Sequence, residues 1–218
     1  MSLAQCVVAV DGPSGSGKST VSRRLAQALD ACYLDTGAMY RAATWAVLLA
    51  EVDLADQESI FKVVIDTEII IGIDPAQQAV EVNGTAVNAE IRGPQVTAAV
   101  SAVSAVPMVR QLLVSRQREI IASAQRIVVE GRDIGMVVAP HADLKVYLTA
   151  SVDERARRRS SETDADHAAT AQDLARRDHL DSTRATDPLR KAPDALVIDS
   201  TQMDIDEVVA TLRELLNN

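Results

Sequence analysis

Near the start of the chain, Gly12-Pro13-Ser14-Gly15-Ser16-Gly17-Lys18-Ser19-Thr20 brings together glycines, an ammonium group and hydroxyls within one short run. Glycines at these positions let successive backbone N–H groups turn toward one point and form an anion nest, which side chains there would obstruct. A helix starting at the end of the run adds its positive N-terminal end. The spacing Gly12-x4-Gly17-Lys18-Ser19 is that of a phosphate-binding loop. In it the lysine reaches the β- and γ-phosphates of a bound nucleotide, and the serine hydroxyl is a ligand for Mg²⁺. Residues 12–20 are therefore read as the site of a nucleoside triphosphate, ATP, with Ser19 as its metal contact.

Such a loop does not name a reaction. A guanine-nucleotide switch needs Asn-Lys-x-Asp and Asp-x-x-Gly, and neither occurs. Motor ATPases place a strongly apolar strand before an acid; the nearest match, Ile127-Val128-Val129-Glu130, runs on into Gly131-Arg132-Asp133 and is set aside. These features favour phosphoryl transfer to a small acceptor. Asp35, between strand-like Cys32-Tyr33-Leu34 and a helical segment, suits the orientation of Mg²⁺-bound water or of the acceptor phosphate, or else an N-cap. A phosphate acceptor is already an anionic nucleophile, so no general base is required. The three histidines, His141, His167 and His179, and the two cysteines, Cys6 and Cys32, show no metal-ligand spacing. Of the 22 cationic residues, 18 are arginine, the side chain suited to bidentate phosphate recognition, although genome composition gives the same ratio.

The elements that must position these groups read as α/β. Cys6–Val10 is an apolar run of strand length, and 127–129, 144–148 and 195–198 are similar. Helical spacing covers 19–29, about 36–50, 95–105, 107–123, 151–160 and 204–216. Strands alternating with helices imply a mostly parallel sheet flanked by helices. Segments 68–73, 79–82 and 85–87 break that rhythm; they are short strands with turn signals that include Asn83-Gly84. They read as a small antiparallel insert within a single domain spanning 1–218.

Composition narrows the partners. A net charge of −9 and 2% aromatic residues argue against a nucleic-acid surface. The apolar run at Cys6 is too short for a signal or a membrane span, and the cysteine usage suits reduced thiols. A cytoplasmic monomer with no membrane partner is expected.

Five segments taken together carry a resemblance. Asp-Gly-Pro-Ser-Gly-Ser-Gly-Lys-Ser-Thr at 11–20, Leu-Asp-Thr-Gly-Ala-Met-Tyr-Arg at 34–41 and Glu-Gly-Arg-Asp-Ile-Gly at 130–135 resemble bacterial cytidylate kinases, within the P-loop nucleoside monophosphate kinases. So do Arg-Arg-Asp-x-x-Asp-Ser-x-Arg at 176–184 and Asp-Ala-Leu-Val-Ile-Asp-Ser-Thr at 194–201. The resemblance implies a P-loop NTPase fold whose monophosphate-binding insert spans about 36–105 and whose short lid spans about 151–170. It implies that Arg41 and Arg132, with Lys18, grip the CMP phosphate, and that Ser101, Arg110 and Asp133 read cytosine while Thr36 and Tyr40 shape the pocket. Arg177 and Asp181 fall at the ribose, Arg184 nearby over the phosphates, and Arg155 and Arg158 in the lid against the transferring group. The implied reaction is ATP plus CMP or dCMP to ADP plus CDP or dCDP. A kinase for another nucleoside monophosphate or a metabolite, or a nucleotide-binding module without turnover, stays open at this point.

Overall fold

The structure, a computed structural model, describes residues 5–163 and 166–217. Among the described residues, eight strands and eight α-helices follow one another much as the apolar periodicity predicts. β1 (Cys6–Asp11), β2 (Cys32–Asp35), β6 (Arg126–Gly131), β7 (Leu144–Thr149) and β8 (Leu196–Asp199) form one parallel sheet in the order β2-β6-β1-β7-β8. Its central strands β1 and β6 are apolar on both faces because helices cover both, whereas the edge strand β8 buries only Ile198 and leaves Leu196 and Val197 exposed. Along β1 and β6 alternate residues go to opposite cores. Ala9, Ile127 and Val129 pack with Leu34, Met39, Val47 and Leu113, whereas Val8, Val10 and Val128 pack with Val21, Leu25, Val208 and Leu212. The first core is closed by α2 (Thr36–Leu49), α3 (Gln57–Ile65) and α5 (Pro107–Ser123), the second by α1 (Lys18–Ala28) and α8 (Ile205–Asn217).

The antiparallel insert is β3 (Ile69–Ile71), β4 (Val80–Val82) and β5 (Thr85–Ala86), in that order across its sheet. Val82 pairs with Thr85, so Asn83 and Gly84 are a two-residue hairpin loop, and both have the positive φ that such a loop requires (50° and 74°). Val80, Val82, Val87 and Ile91 seat the insert on the alanine face of α2, at Ala38, Ala42 and Ala46. α4 (Pro94–Ser104) returns the chain to the main body.

Two helices depart from the sequence expectations. α3 lies outside the helical spans that the apolar spacing marks, yet Asp56 caps it and Ile60 and Val64 bury its inner face. The polar stretch assigned to a lid about 151–170 is α6 (Val152–Thr163) followed by the start of α7 (His167–Thr183), with 164 and 165 outside the described residues. Everything with chemical potential leaves the carboxyl ends of the parallel strands. The glycine loop follows β1, Asp35 ends β2, Arg132 and Asp133 follow β6, and α6 follows β7. This is the edge at which open α/β sheets bind ligands.

Candidate active site

Between β1 and α1 the chain has no room for side chains at its tightest points. A Cβ on Gly12, whose φ is 151°, would lie 2.0 Å from the Leu148 carbonyl oxygen of β7. Gly17 caps α1 in the left-handed region, at φ 86°. The loop that results folds around Lys18, which is buried and donates from Nζ to the Pro13 carbonyl at 2.7 Å and toward Ser16 Oγ at 3.5 Å. Burial, and then the positive charge of Arg132, holds its pKa well below the usual lysine value, against the pull of Glu130, Asp11 and Asp178. An arriving phosphate would offer this ammonium a stronger acceptor than a carbonyl. Ser14, Gly15, Ser16, Gly17, Ser19 and Thr20 line the same cleft, while Gly12 and Pro13 shape the loop from behind.

Asp35 and Glu130 face the loop from the ends of β2 and β6. Asp35 does cap α2, accepting from the Ala38 amide at 2.9 Å through Oδ1. Its other oxygen stays on the cleft side, 3.8 Å from Arg92. Glu130, set aside on sequence, lies opposite Val10 in the strand register, beside Ser19 at the mouth of the loop. Tyr33 donates to Glu130 Oε1 at 2.5 Å. Burial, and then the neighbouring Asp35 charge, raises the pKa of Glu130. The apolar run Ile127-Val128-Val129 before an acid was the signal for this residue; only the adjacency of β6 to β1 gives it weight. Ser19, Asp35 and Glu130 are hard oxygen donors that suit Mg²⁺. Among the described residues no cluster of three acidic, histidine or cysteine groups could hold an ion alone. A Mg²⁺ site completed by nucleotide phosphates and water is the type that fits.

Across the cleft stands a set of arginines. Arg132 donates from Nε to Asp181 Oδ2 at 2.9 Å, and that carboxylate holds its pKa above the ordinary arginine value despite burial. Arg41 donates to the Ile91 carbonyl and to Thr97 Oγ1, and burial followed by the nearby Arg177 lowers its pKa to about 10. Arg177 is buried with no hydrogen-bond partner on Nε, and Asp181, one turn along the same helix, pairs with Arg132 instead. Arg92, which sequence reasoning passed over, reaches into the same space from the insert.

Deeper in, a second polar cluster closes the cleft. Arg110, 1% exposed, is bonded to Asp133 Oδ2 and, from Nε, to Asp187 Oδ2 at 3.0 Å. Arg184 was expected over the phosphates. The backbone becomes extended there, just past the end of α7 (φ −60°, ψ 145°), and carries its guanidinium to Asp133 Oδ1 at 3.4 Å and to the Asp187 carbonyl at 2.6 Å. Tyr40 lies under Arg110, its ring centre 5.6 Å from the guanidinium carbon, and its buried hydroxyl has no partner. Ser101 lines this end, and Thr36 does too, with its hydroxyl donating to the Glu130 carbonyl at 2.7 Å.

On the lid side, Arg158 lies over the loop, bonded to Glu154 and to Ser200 through side chain and carbonyl. Arg155 does not join it. It is buried behind the loop, where it donates to the Ser14 and Ala150 carbonyls and pairs with Asp178, so it faces away from the cleft. A spacing of three put both arginines on one helical face; α6 packs so that only the second reaches the opening.

The cleft has a volume of about 930 Å³ and is continuous from the glycine loop to Arg110. Half of the chain's 18 arginines line it, so in a chain of net charge −9 the local field is cationic. Such a space takes two phosphorylated ligands end to end, one in the nest and one against the arginines.

Comparison with known proteins is in keeping with this arrangement. The cytidylate kinase family matches residues 8–218. A cytidylate kinase from Nocardia farcinica is 56% identical over 215 residues, covering 96% of this chain and 93% of that one. One from Rhodococcus jostii is 55% identical, covering 97% and 95%. Among solved structures, a gluconokinase from Sinorhizobium meliloti shares the fold, with 17% identity, a TM-score of 0.50, and coverage of 99% of this chain and 95% of that one.

Proposed function

The chain belongs to the cytidylate kinase family and transfers the γ-phosphoryl group of ATP to CMP or dCMP, and we propose that the groups of its cleft divide that work as follows. The glycine loop and Lys18 hold the ATP phosphates. Arg132 and Arg41, with Arg177 and Arg92 beside them, hold the acceptor phosphate in line with the donor. Two phosphates that repel one another are brought together only if fixed cations offset that repulsion. Mg²⁺, held through Ser19 with Asp35 and Glu130 behind it, neutralises charge on the donor phosphates. Arg158 supplies further positive charge from the lid, and Arg155 braces the loop without touching substrate.

Arg110, Asp133, Ser101 and Arg184 are assigned to the base, with Tyr40 and Thr36 shaping its pocket. A guanidinium and a carboxylate side by side offer donors and an acceptor, which suits the O2/N3 and N4 edge of cytosine. A base that leaves them unpaired pays for burying them. Asp181, on the cleft wall next to Arg132, is assigned to the ribose. The insert, about 36–105, is the part that closes on the monophosphate, and 151–170 the part that closes on ATP. A cytoplasmic monomer without nucleic-acid or membrane partners fits the acidic surface; among the described residues no single helix is long and apolar enough to cross a membrane.

One observation carries this assignment: a single cleft joins the phosphate loop to an arginine set that ends in a buried Arg110–Asp133 pair. A coupled ADP-release assay with CMP, dCMP, UMP and AMP as alternative acceptors tests it. The cytosine nucleotides should turn over fastest; faster turnover with AMP would overturn the base assignment.

A further inference from the structure

Asp178 has no place in the roles above, yet it connects α7 directly to the phosphate loop. Its Oδ1 accepts from the Ser14 amide at 3.1 Å, and its Oδ2 accepts from Arg155 at 2.5 Å. Arg155 in turn donates to the Ser14 carbonyl at 2.9 Å. Both sides of one loop residue are thus bonded, by an acid from α7 and a base from α6, and the two side chains are paired with each other. Ser14 is 8% exposed and Arg155 5%, while the Asp178 side chain is 20% exposed, so these bonds are partly shielded from water. One turn further along α7, on the same side of the helix, Asp181 holds Arg132.

We propose that Asp178 is a positioning residue for the donor phosphate: with Arg155 it clamps the Ser14 peptide and fixes the shape of the nest. A loop rich in glycine has many conformations, and only one turns its amides inward. A clamp on its outer shoulder removes that freedom before ATP arrives, which is how preorganisation raises affinity. The same helix then fixes the donor loop through Asp178 and the acceptor arginine through Asp181, so the two phosphates are referred to one rigid body. This inference rests on the assignment of the loop to ATP and of Arg132 to the acceptor.

The test compares Asp178→Asn, Asp178→Leu and Arg155→Met with the parent chain. Binding of Mg²⁺ with a non-hydrolysable ATP analogue is measured by calorimetry, and CMP binding is measured separately without ATP. Asn keeps an acceptor for the Ser14 amide and loses the ion pair; Leu loses both. Analogue affinity should fall roughly 10-fold in Asp178→Leu and ~3-fold in Asp178→Asn, with CMP affinity within about twofold of the parent. The double variant with Arg155→Met should cost less than the product of the single effects, because the two side chains act as a unit. Unchanged analogue affinity in Asp178→Leu, or an equal fall for CMP, would overturn the proposal, the second outcome pointing to general loosening of the cleft. If the Leu variant does not fold, an Asn variant with parental analogue affinity does the same. A parent chain that binds the analogue but does not phosphorylate CMP would instead remove the acceptor assignment and leave the Asp178 result readable.

Discussion

Arg132 Nε lies 2.9 Å from Asp181 Oδ2, joining the loop after β6 to the last turn of α7. The carboxylate holds a partly buried guanidinium at the cleft wall before any phosphate is present. Arg132→Ala is therefore expected to lower kcat/KM for CMP by about 3–5 kcal/mol in transition-state terms, because an acceptor charge is left unpaired in a closed site. Steady-state kinetics with both substrates varied checks this, and an undiminished rate would place the acceptor elsewhere. Asp181→Ala should have a smaller effect and should change the ratio of CMP to dCMP turnover; an unchanged ratio would remove Asp181 from the ribose.

The pairing of Asp133 with both Arg110 and Arg184 makes a stability prediction. Among the described residues, removing this acid leaves Arg110 with Asp187 as its remaining ion-pair partner and takes from Arg184 the one carboxylate it pairs with. Breaking a buried pair by deleting one partner costs roughly 3–5 kcal/mol, far more than the pair is worth against an apolar replacement. Asp133→Ala should lower the urea midpoint accordingly, while Ser101→Ala, at a half-buried hydroxyl on α4, should shift it by less than about 1 kcal/mol. A loss below 1 kcal/mol for Asp133→Ala would show that Arg110 finds another partner.

What could be read before folding follows from where periodicity and spacing hold. The loop at 12–20 was legible because glycines, lysine and hydroxyls at fixed spacing have one efficient use. The parallel strands were legible because burial on both faces leaves continuous apolar runs such as Cys6–Val10. α7 was not, since its buried residues are Leu174, Arg177 and Asp181 and it shows no apolar stripe. α3 was missed for its brevity, although Asp56 and Ser59 mark its cap. Glu130, Asp178 and Arg92 gain their meaning from strand order and helix packing, which join positions far apart in sequence. Arg155 and Arg158 were indistinguishable by spacing because helical geometry fixes which residues share a face, not which neighbour that face meets.

The pH dependence of folding should carry a signature of Asp11. This residue ends β1, and its two oxygens accept from the Ile134 and Gly135 amides at 2.7 and 2.8 Å, fixing the segment after Arg132 and Asp133. Burial nevertheless dominates and raises its pKa from 3.8 to about 6. The folded chain then holds this proton more tightly than the unfolded one. Below about pH 4 both states are protonated and nothing is lost. As pH rises toward 6 the unfolded chain releases its proton first, so stability falls, by on the order of 3 kcal/mol, and stays lower above that range. Asp11→Asn removes the titration at the fixed cost of one accepted hydrogen bond. The stability difference between parent and variant, from urea unfolding between pH 4 and 7.5, should therefore shrink in the parent's disfavour as pH rises. A difference that does not vary with pH would mean that Asp11 titrates normally.

Two glycines separate backbone strain from lack of space. Gly84, in the hairpin of the insert, has φ 74° and nothing within 4 Å of a built Cβ, so Gly84→Ala meets strain alone. That costs about 1–2 kcal/mol. Gly12 has φ 151° and would place its Cβ 2.0 Å from the Leu148 carbonyl oxygen, with the carbonyl carbon 3.1 Å away. Neither side can yield: β1 and β7 are paired in parallel along Val8–Asp11 and Leu144–Tyr147, just before this point, and Leu148 is fully buried. Relief requires the loop to move outward, which opens the nest around Lys18. Gly12→Ala should therefore cost about 3 kcal/mol or more in stability and should also abolish binding of the Mg²⁺-ATP analogue. Gly84→Ala should leave that binding untouched. Calorimetric titration alongside thermal unfolding of the two variants separates these effects, and a Gly12→Ala chain that binds the analogue with parental affinity would show that the β1–β7 junction is not what shapes the phosphate loop.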